Sequence, residues 1–288
     1  MVSGSSPTKS RRTRSDVDAI KAAIVAALLE DSPMTVRQVF YRLVSAGSVA
    51  KTEMEYKATV VRLLTSMRLS GEIPFGSIAD NTRWMRKPTT HHSLESALLR
   101  TAEAYRRSLW DNQDAYVEVW LEKDALAGVL VEVTSQWDVP LMVTRGYPSL
   151  TYLYEMAELL SEVGKPSFLY YFGDYDPSGL DIPRNVEARI REFAPSAEIH
   201  FERVAVTSDQ ILSMSLPTRP TKKADTRSKG FEGESVEVDA IPPKQLRALV
   251  SDCITRHVDP SALQAIQATE QHERLLLNHM VRQFQDSD

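Results

Sequence analysis

The stretch that most constrains this chain is Phe172-Gly173-Asp174-Tyr175-Asp176-Pro177-Ser178-Gly179. It follows residues 167–171, an apolar and aromatic run short enough for a buried strand, and precedes residues 184–193, which read as a helix. A strand that ends in Asp-x-Asp brings two carboxylates to the carboxyl edge of a sheet, where open α/β sheets hold their ligands. Residues two apart in extended backbone point the same way, so Asp174 and Asp176 are expected to converge on one hard cation. Mg²⁺ takes such oxygen ligands and keeps part of its water shell, and Mn²⁺ accepts the same donors. Asp, Pro and Gly are also ordinary turn residues, so the stretch alone leaves a plain strand-end turn open.

The surroundings favour a sheet. Short apolar runs at 116–121, 140–144, 167–173 and 198–206 alternate with helical patterns near 124–135, 149–163 and 184–193. Such alternation predicts an α/β unit with a parallel, helix-covered sheet. The front of the chain reads differently. Ser15 is the expected N-cap of a helix over 16–30, and Thr35 with Gln38 forms a capping box for a second one ending near Gly47. A third helix spans 52–69, with Val60, Leu63, Leu64 and Met67 inward, and residues 73–78 suit a short β-wing. Three helices and a wing predict a winged helix-turn-helix, making the chain α+β overall. The expected organisation is a disordered basic tail (1–14), a winged-helix DNA-binding domain (15–90), a linker helix (91–115), the sheet domain (116–258) and a C-terminal helix (259–288).

Charge is divided in the same way. Residues 1–111 hold 17 Lys and Arg against 11 Asp and Glu, whereas the remainder holds 17 against 28. A basic front on an acidic back suits a DNA-binding module joined to a metal-binding one. Lys51, Lys57, Arg62 and Arg68 on the third helix, with Arg83, Arg86 and Lys87 after the wing, are the candidate phosphate contacts. A single cysteine, Cys253, excludes an internal disulfide and a cysteine-type zinc site. No apolar run reaches membrane-spanning length, so a cytoplasmic protein without a membrane partner is expected.

Glu122 follows the first strand of the sheet unit, and a Glu after one strand with Asp-x-Asp after a later one is the arrangement of the Toprim fold. Four blocks carry this resemblance: Val117-Glu-Val-Trp-Leu-Glu-Lys-Asp-Ala125, Thr144-Arg-Gly-Tyr-Pro-Ser149, Phe172–Gly179, and Val236-Glu-Val-Asp-Ala240. Over about residues 15–255 the chain resembles one branch in particular, the A subunit of topoisomerase VI and the meiotic double-strand-break transesterase. That branch places a winged helix before a Toprim domain and carries a tyrosine in an Arg-x-x-(Tyr/Phe)-Tyr helix, which Arg37-Gln-Val-Phe40-Tyr41 matches.

The resemblance implies a metal-dependent DNA-cleaving enzyme, a type II topoisomerase A-subunit-like protein or an endonuclease. Glu122, Asp174 and Asp176 would hold Mg²⁺, and Tyr41 would attack a backbone phosphate to give a 5′-phosphotyrosyl link. Arg37, one turn before Tyr41 on the same helix face, would clamp that phosphate. Lys123 is expected either to touch phosphate or to cap the next helix. Glu237 and Asp239 match a further acidic stretch of the family. The implied partners are double-stranded DNA, a second copy in a homodimer whose tyrosine meets the acids across the interface, and a separate ATPase subunit. No P-loop signature is present in the sequence, so strand passage by this chain alone is not expected. Two other readings stay open: a Toprim nuclease that hydrolyses DNA with Tyr41 as a core aromatic, and a non-catalytic DNA-binding protein.

Overall fold

A computed structural model describes residues 12–79, 88–220, 231 and 234–285. Its centre is a four-stranded, wholly parallel sheet: β1 (Tyr116–Leu121), β2 (Leu141–Val143), β3 (Ser167–Phe172) and β4 (Ile199–Ala205), in the order β2-β1-β3-β4. All four lie within a residue of their expected spans. Helices α5 (Ala127–Gln136), α6 (Leu150–Val163) and α7 (Pro177–Phe193) form the crossovers. The chain is therefore a mixed α/β protein.

Period-2 alternation sorts the strand residues between two layers. Val117, Val119 and Leu121 of β1, with Tyr170 and Phe172 of β3, pack on α5 and on α9 (Pro243–Thr255) through Val129, Leu130, Leu246 and Val250. Trp120, Leu169 and Tyr171 face the other way, against α6 and α7 through Leu153, Leu160, Ile182 and Val186. A sheet covered on both faces explains why β1 reads as an almost unbroken apolar run.

The exception in that run is Glu118, only 2% exposed. Its carboxylate accepts hydrogen bonds from the Tyr116 hydroxyl (3.0 Å) and Trp120 Nε1 (2.7 Å).

Ahead of the sheet lie α1 (Arg14–Glu30), α2 (Val36–Ser45), a π-helical segment (Glu55–Val61) continuing into α3 (Arg62–Leu69), and α4 (Leu94–Ala104). Ile24, Val39, Phe40, Leu43, Val60 and Leu64 bury into the same continuous cluster as the α5 and α9 face of the sheet. The long last helix, α10 (Pro260–Gln285), lies along α4. There Glu273 accepts hydrogen bonds from the Tyr105 hydroxyl (2.6 Å) and Arg107 Nη1 (2.6 Å). No helix among the described residues is long and apolar enough to cross a membrane.

Several local expectations need correction. Thr13, rather than Ser15, caps α1, because Thr13 and Asp16 complete a reciprocal capping box. Helix α7 starts at Pro177 instead of near residue 184: Asp176 caps it, and proline at the first helical position needs no hydrogen-bond acceptor for its nitrogen. The linker helix, expected within 91–115, spans only Leu94–Ala104, and the Tyr105 carbonyl is taken by the Arg274 guanidinium (2.9 and 2.6 Å). Residues 73–79 form no β-wing hairpin. Phe75–Ser77 is a 3₁₀ turn, and Ile78 makes one parallel bridge to Met34.

Burial outweighs the two hydrogen bonds to Glu118 and raises its carboxyl pKa. A folded-state value above the unfolded one, ~4.3, gives stabilisation that is complete at low pH and lost as pH rises through the folded value. Gln in its place can accept from Trp120 and donate to the Tyr116 oxygen without titrating. The melting temperature of wild type relative to Glu118→Gln should fall as the pH rises above that unfolded value. Thermal unfolding as a function of pH checks it, and a constant difference contradicts it.

Candidate active site

Strands β1 and β3 are neighbours, and their carboxyl ends carry the acids. The Glu122 N–H donates to the Phe172 carbonyl (2.9 Å), extending the ladder one residue past the strands. The Glu122 side chain folds over the next peptide, where Oε2 accepts the Asp174 N–H at 3.0 Å. This close approach requires Gly173. A Cβ there would sit 2.5 Å from Glu122 Oε2 and 2.6 Å from the Tyr171 ring. Burial, and then the Asp174 charge, push the Glu122 carboxyl up to about 7.

Asp174 is held from several sides. Its Oδ1 accepts the Val238 N–H (2.9 Å) and lies 3.2 Å from Lys123 Nζ, while its carbonyl accepts Arg203 Nη2 (2.7 Å). Gly179, in the first turn of α7, lets the helix abut the Asp174 backbone, because a Cβ would collide with that same carbonyl. Tyr175 pairs antiparallel with Val236, which draws Glu237 and Asp239 onto the acid edge. Both are buried, and both bind Lys123, at 3.0 and 2.7 Å. Burial alone would lower the Lys123 pKa; Asp239, Asp174 and Glu237 outweigh it and hold the ammonium above its ordinary value.

Helix α2 reaches the same place. Thr35 Oγ1 donates to Asp239 Oδ1 (3.4 Å), and Arg37 Nε lies 3.7 Å from Glu237 Oε2. Arg219 adds pairs to Glu237 (2.6 Å) and, more loosely, to Asp176 (3.8 Å). Tyr41 is 3% exposed, its ring 5.4 Å from that of Phe40 and 5.3 Å from Lys51 Nζ. Burial and then Glu237 raise its phenol pKa, against opposing pulls from Lys123, Arg37 and Arg219. Lys51 donates to the Pro217 carbonyl (2.6 Å), and burial followed by Arg219 lowers its pKa to about 8.

The expected site residues thus separate into groups. Glu122 and Asp174 are in direct contact, and Arg37 and Tyr41 approach them through Glu237 and Lys123. Asp176 is committed as the cap of α7, its Oδ1 accepting the Gly179 N–H at 2.8 Å. Lys123 lies inside the acid cluster. Lys57, Arg62 and Arg68 follow the helical run 55–69: the first is 3.5 Å from Glu53, and the other two donate to carbonyls of their own helix. Arg83, Arg86 and Lys87 fall outside the described residues. Sequence reasoning missed Arg219 and Arg203. Arg219 had a signal, since it opens the basic stretch after β4; Lys51, expected among the exposed cations of the third helix, is instead half-buried and tied to the Pro217 carbonyl.

Among the described residues no three acidic, His or Cys side chains are arranged to cage an ion. Mg²⁺ needs no such cage, since one or two carboxylates plus substrate phosphate oxygens suffice. Glu122 and Asp174 fit that requirement, with Gly173 leaving the space in which they meet.

No family model matches this chain, and no curated protein matches it. The resemblance to the topoisomerase VI A subunit rests on the motif residues themselves.

The Gly179 contact is a direct test of this geometry. Gly179→Ala should destabilise the protein by roughly 1–3 kcal/mol through backbone overpacking. Gly76→Ala, whose Cβ meets nothing within 4 Å, should be near neutral. Denaturant midpoints of the two variants decide it, and equal midpoints contradict the packing described.

Proposed function

We propose that this chain cleaves double-stranded DNA at the carboxyl edge of its sheet, as the resemblance to the topoisomerase VI A subunit implies. In this reading Tyr41 attacks the phosphate and Glu122 and Asp174 hold a divalent cation, with Asp176 beside them. The observation that carries it is the seating of α2, the helix bearing Arg37 and Tyr41, against Glu237 and Asp239 of the acid edge.

The step balances simply. Tyr41 Oη forms a bond to phosphorus as the bond from phosphorus to the 3′-oxygen breaks. The products are a 5′-phosphotyrosyl link and a 3′-hydroxyl, the proton lost by the phenol passing through solvent to the departing 3′-oxygen. A bound divalent cation supplies neutralisation of phosphate charge and stabilisation of the departing oxygen. Arg37 and Arg219 lie where a phosphate approaching Tyr41 can take their guanidiniums from Glu237. Lys57, Arg62 and Arg68 would hold the flanking backbone by charge.

The burial of Tyr41 and its raised pKa favour one other reading, hydrolysis by an activated water with Tyr41 as packing. A plasmid assay with a denaturing stop separates the two. Wild type with Mg²⁺ or Mn²⁺ should give DNA ends that carry protein, lost roughly 1,000-fold or more in both Tyr41→Phe and Asp174→Ala. Free ends that persist in Tyr41→Phe and vanish in Asp174→Ala would establish hydrolysis instead.

The family resemblance implies a homodimer with the tyrosine serving the partner's acids. The contact of α2 with residues 237–239 of its own chain supports service in cis. A mixture of Tyr41→Phe and Asp174→Ala chains should then stay inactive. Restored nicking would place Tyr41 against the partner.

A further inference from the structure

Three arginines from two separate segments meet at one cavity in the front of the chain. It has a volume of about 440 Å³ and is lined by Arg12, Thr13, Arg14, Val17, Thr59 and Arg62. Arg12 and Arg14 close the basic leader expected to be disordered, yet Arg12 is anchored. Its Nη1 donates to Glu55 Oε2 (2.8 Å) and to Thr59 Oγ1 (2.6 Å), and the Thr59 hydroxyl donates to the same Glu55 oxygen (2.8 Å). Glu55 and Thr59 are both buried. Two interior side chains of the π-helical segment therefore fix where the leader lies.

Charge is not balanced at this cavity. Glu55 neutralises Arg12, and Asp16 is turned to the Thr13 N–H (2.9 Å). No carboxylate is among the lining side chains. Arg62 commits only its Nε, to the Ala58 carbonyl (3.1 Å). Neither Arg14 nor Arg62 has an ion-pair partner among the described residues. The guanidinium fork matches two oxygens of one phosphate, and Val17 gives an apolar wall against which sugar carbons can rest.

We propose that this cavity binds a backbone phosphate of double-stranded DNA, held by Arg14, Arg62 and the nitrogens that Arg12 leaves unused. Lys57 and Arg68 lie on the same helical run as Arg62, so a duplex along that run meets a row of cations, whereas a free phosphate meets the cavity alone. Such a contact positions the duplex without reading its sequence. The site rests on the DNA-binding part of the function proposed above and extends it to the leader, ahead of the helices expected to carry it.

Duplex binding followed by fluorescence anisotropy over a salt series, without divalent ion, tests the site apart from cleavage. Arg14 and Arg62 are exposed, so glutamine at either position removes charge and no packed side chain. Each single variant, Arg14→Gln or Arg62→Gln, should flatten the slope of log affinity against log salt by roughly 1, and the double variant by roughly 2. At ~0.1 M salt the double variant should bind roughly 10- to 100-fold more weakly, and equally so for unrelated sequences. Arg189→Gln removes an exposed arginine that pairs with Glu192 on α7 and should bind as wild type does; a loss equal to that of Arg14→Gln would reflect bulk charge and overturn the site. Wild-type affinity in the double variant overturns the site and leaves the cleavage reading standing. A wild type that binds no duplex overturns both. Inorganic phosphate that raises the melting temperature of wild type but not of the double variant, with duplex binding equal in the two, would assign the cavity to a small phosphate and overturn DNA as its occupant.

Discussion

Everything at the carboxyl edge of the sheet depends on the compensation of buried negative charge. Asp174, Glu237 and Asp239 are buried acids from two distant segments, and ionised carboxylates leave water only when paired and hydrogen-bonded. Lys123 supplies the pairing at the centre, and Arg219 and Arg37 supply it at the rim. Strand β1 delivers Glu122 and Lys123 as adjacent residues. One leans onto the Asp174 peptide; the other reaches the 237–239 segment. The arrangement recruits α2 as well, since Thr35 and Arg37 complete the shells of Asp239 and Glu237. Removing one partner from such a group is far more damaging than replacing the whole set, because the remaining charges stay buried without compensation.

The same edge shows why two acids of one motif take different roles. Extended backbone would aim Asp174 and Asp176 in one direction. The strand ends at Phe172, however, and α7 begins at Pro177. A helix start leaves unsatisfied N–H groups, and a preceding Asp is among the best residues to accept one. Asp176 meets that demand through Gly179, while the close approach at Gly173 and Gly179 locks Asp174 under Glu122. The motif reads as a metal pair in sequence and divides in space because helix capping claims its second member.

What was legible in the sequence follows the range of the interactions. The four strands, their parallel arrangement and the capping box of Thr35 and Gln38 depend on neighbours in the chain and were readable. The inward face of the third helix was too, with Val60, Leu63, Leu64 and Met67 buried. Its π-helical first half, the absence of wing strands at 73–79 and the early start of α7 were not, because tertiary contacts or a single cap decide them. At the site, Glu122 and Asp174 were readable from strand ends. The enclosure of Lys123 and the pairing of Arg219 with Glu237 arise where residues 234–240 meet the sheet edge, which no local pattern records.

Burial places Tyr41 in tension with any reactive role, and the charges around it indicate how that tension can be resolved. The phenol lies in the core cluster, and Glu237 disfavours its ionisation. Yet the cations near it, Arg37, Arg219 and Lys51, outnumber that one acid, and Glu237 engages two of them at unequal lengths. A phosphate arriving there would compete for guanidiniums held at 3.7 Å more readily than for those held at 2.6 Å, so Arg37 is the first to be drawn away. Its release would also loosen the cation–π contact to Tyr56, at 4.1 Å, while Thr35 would still hold α2 to Asp239. Arg37 thus joins the acid edge, through Glu237, to the Tyr56 ring that packs on Phe40 beside Tyr41.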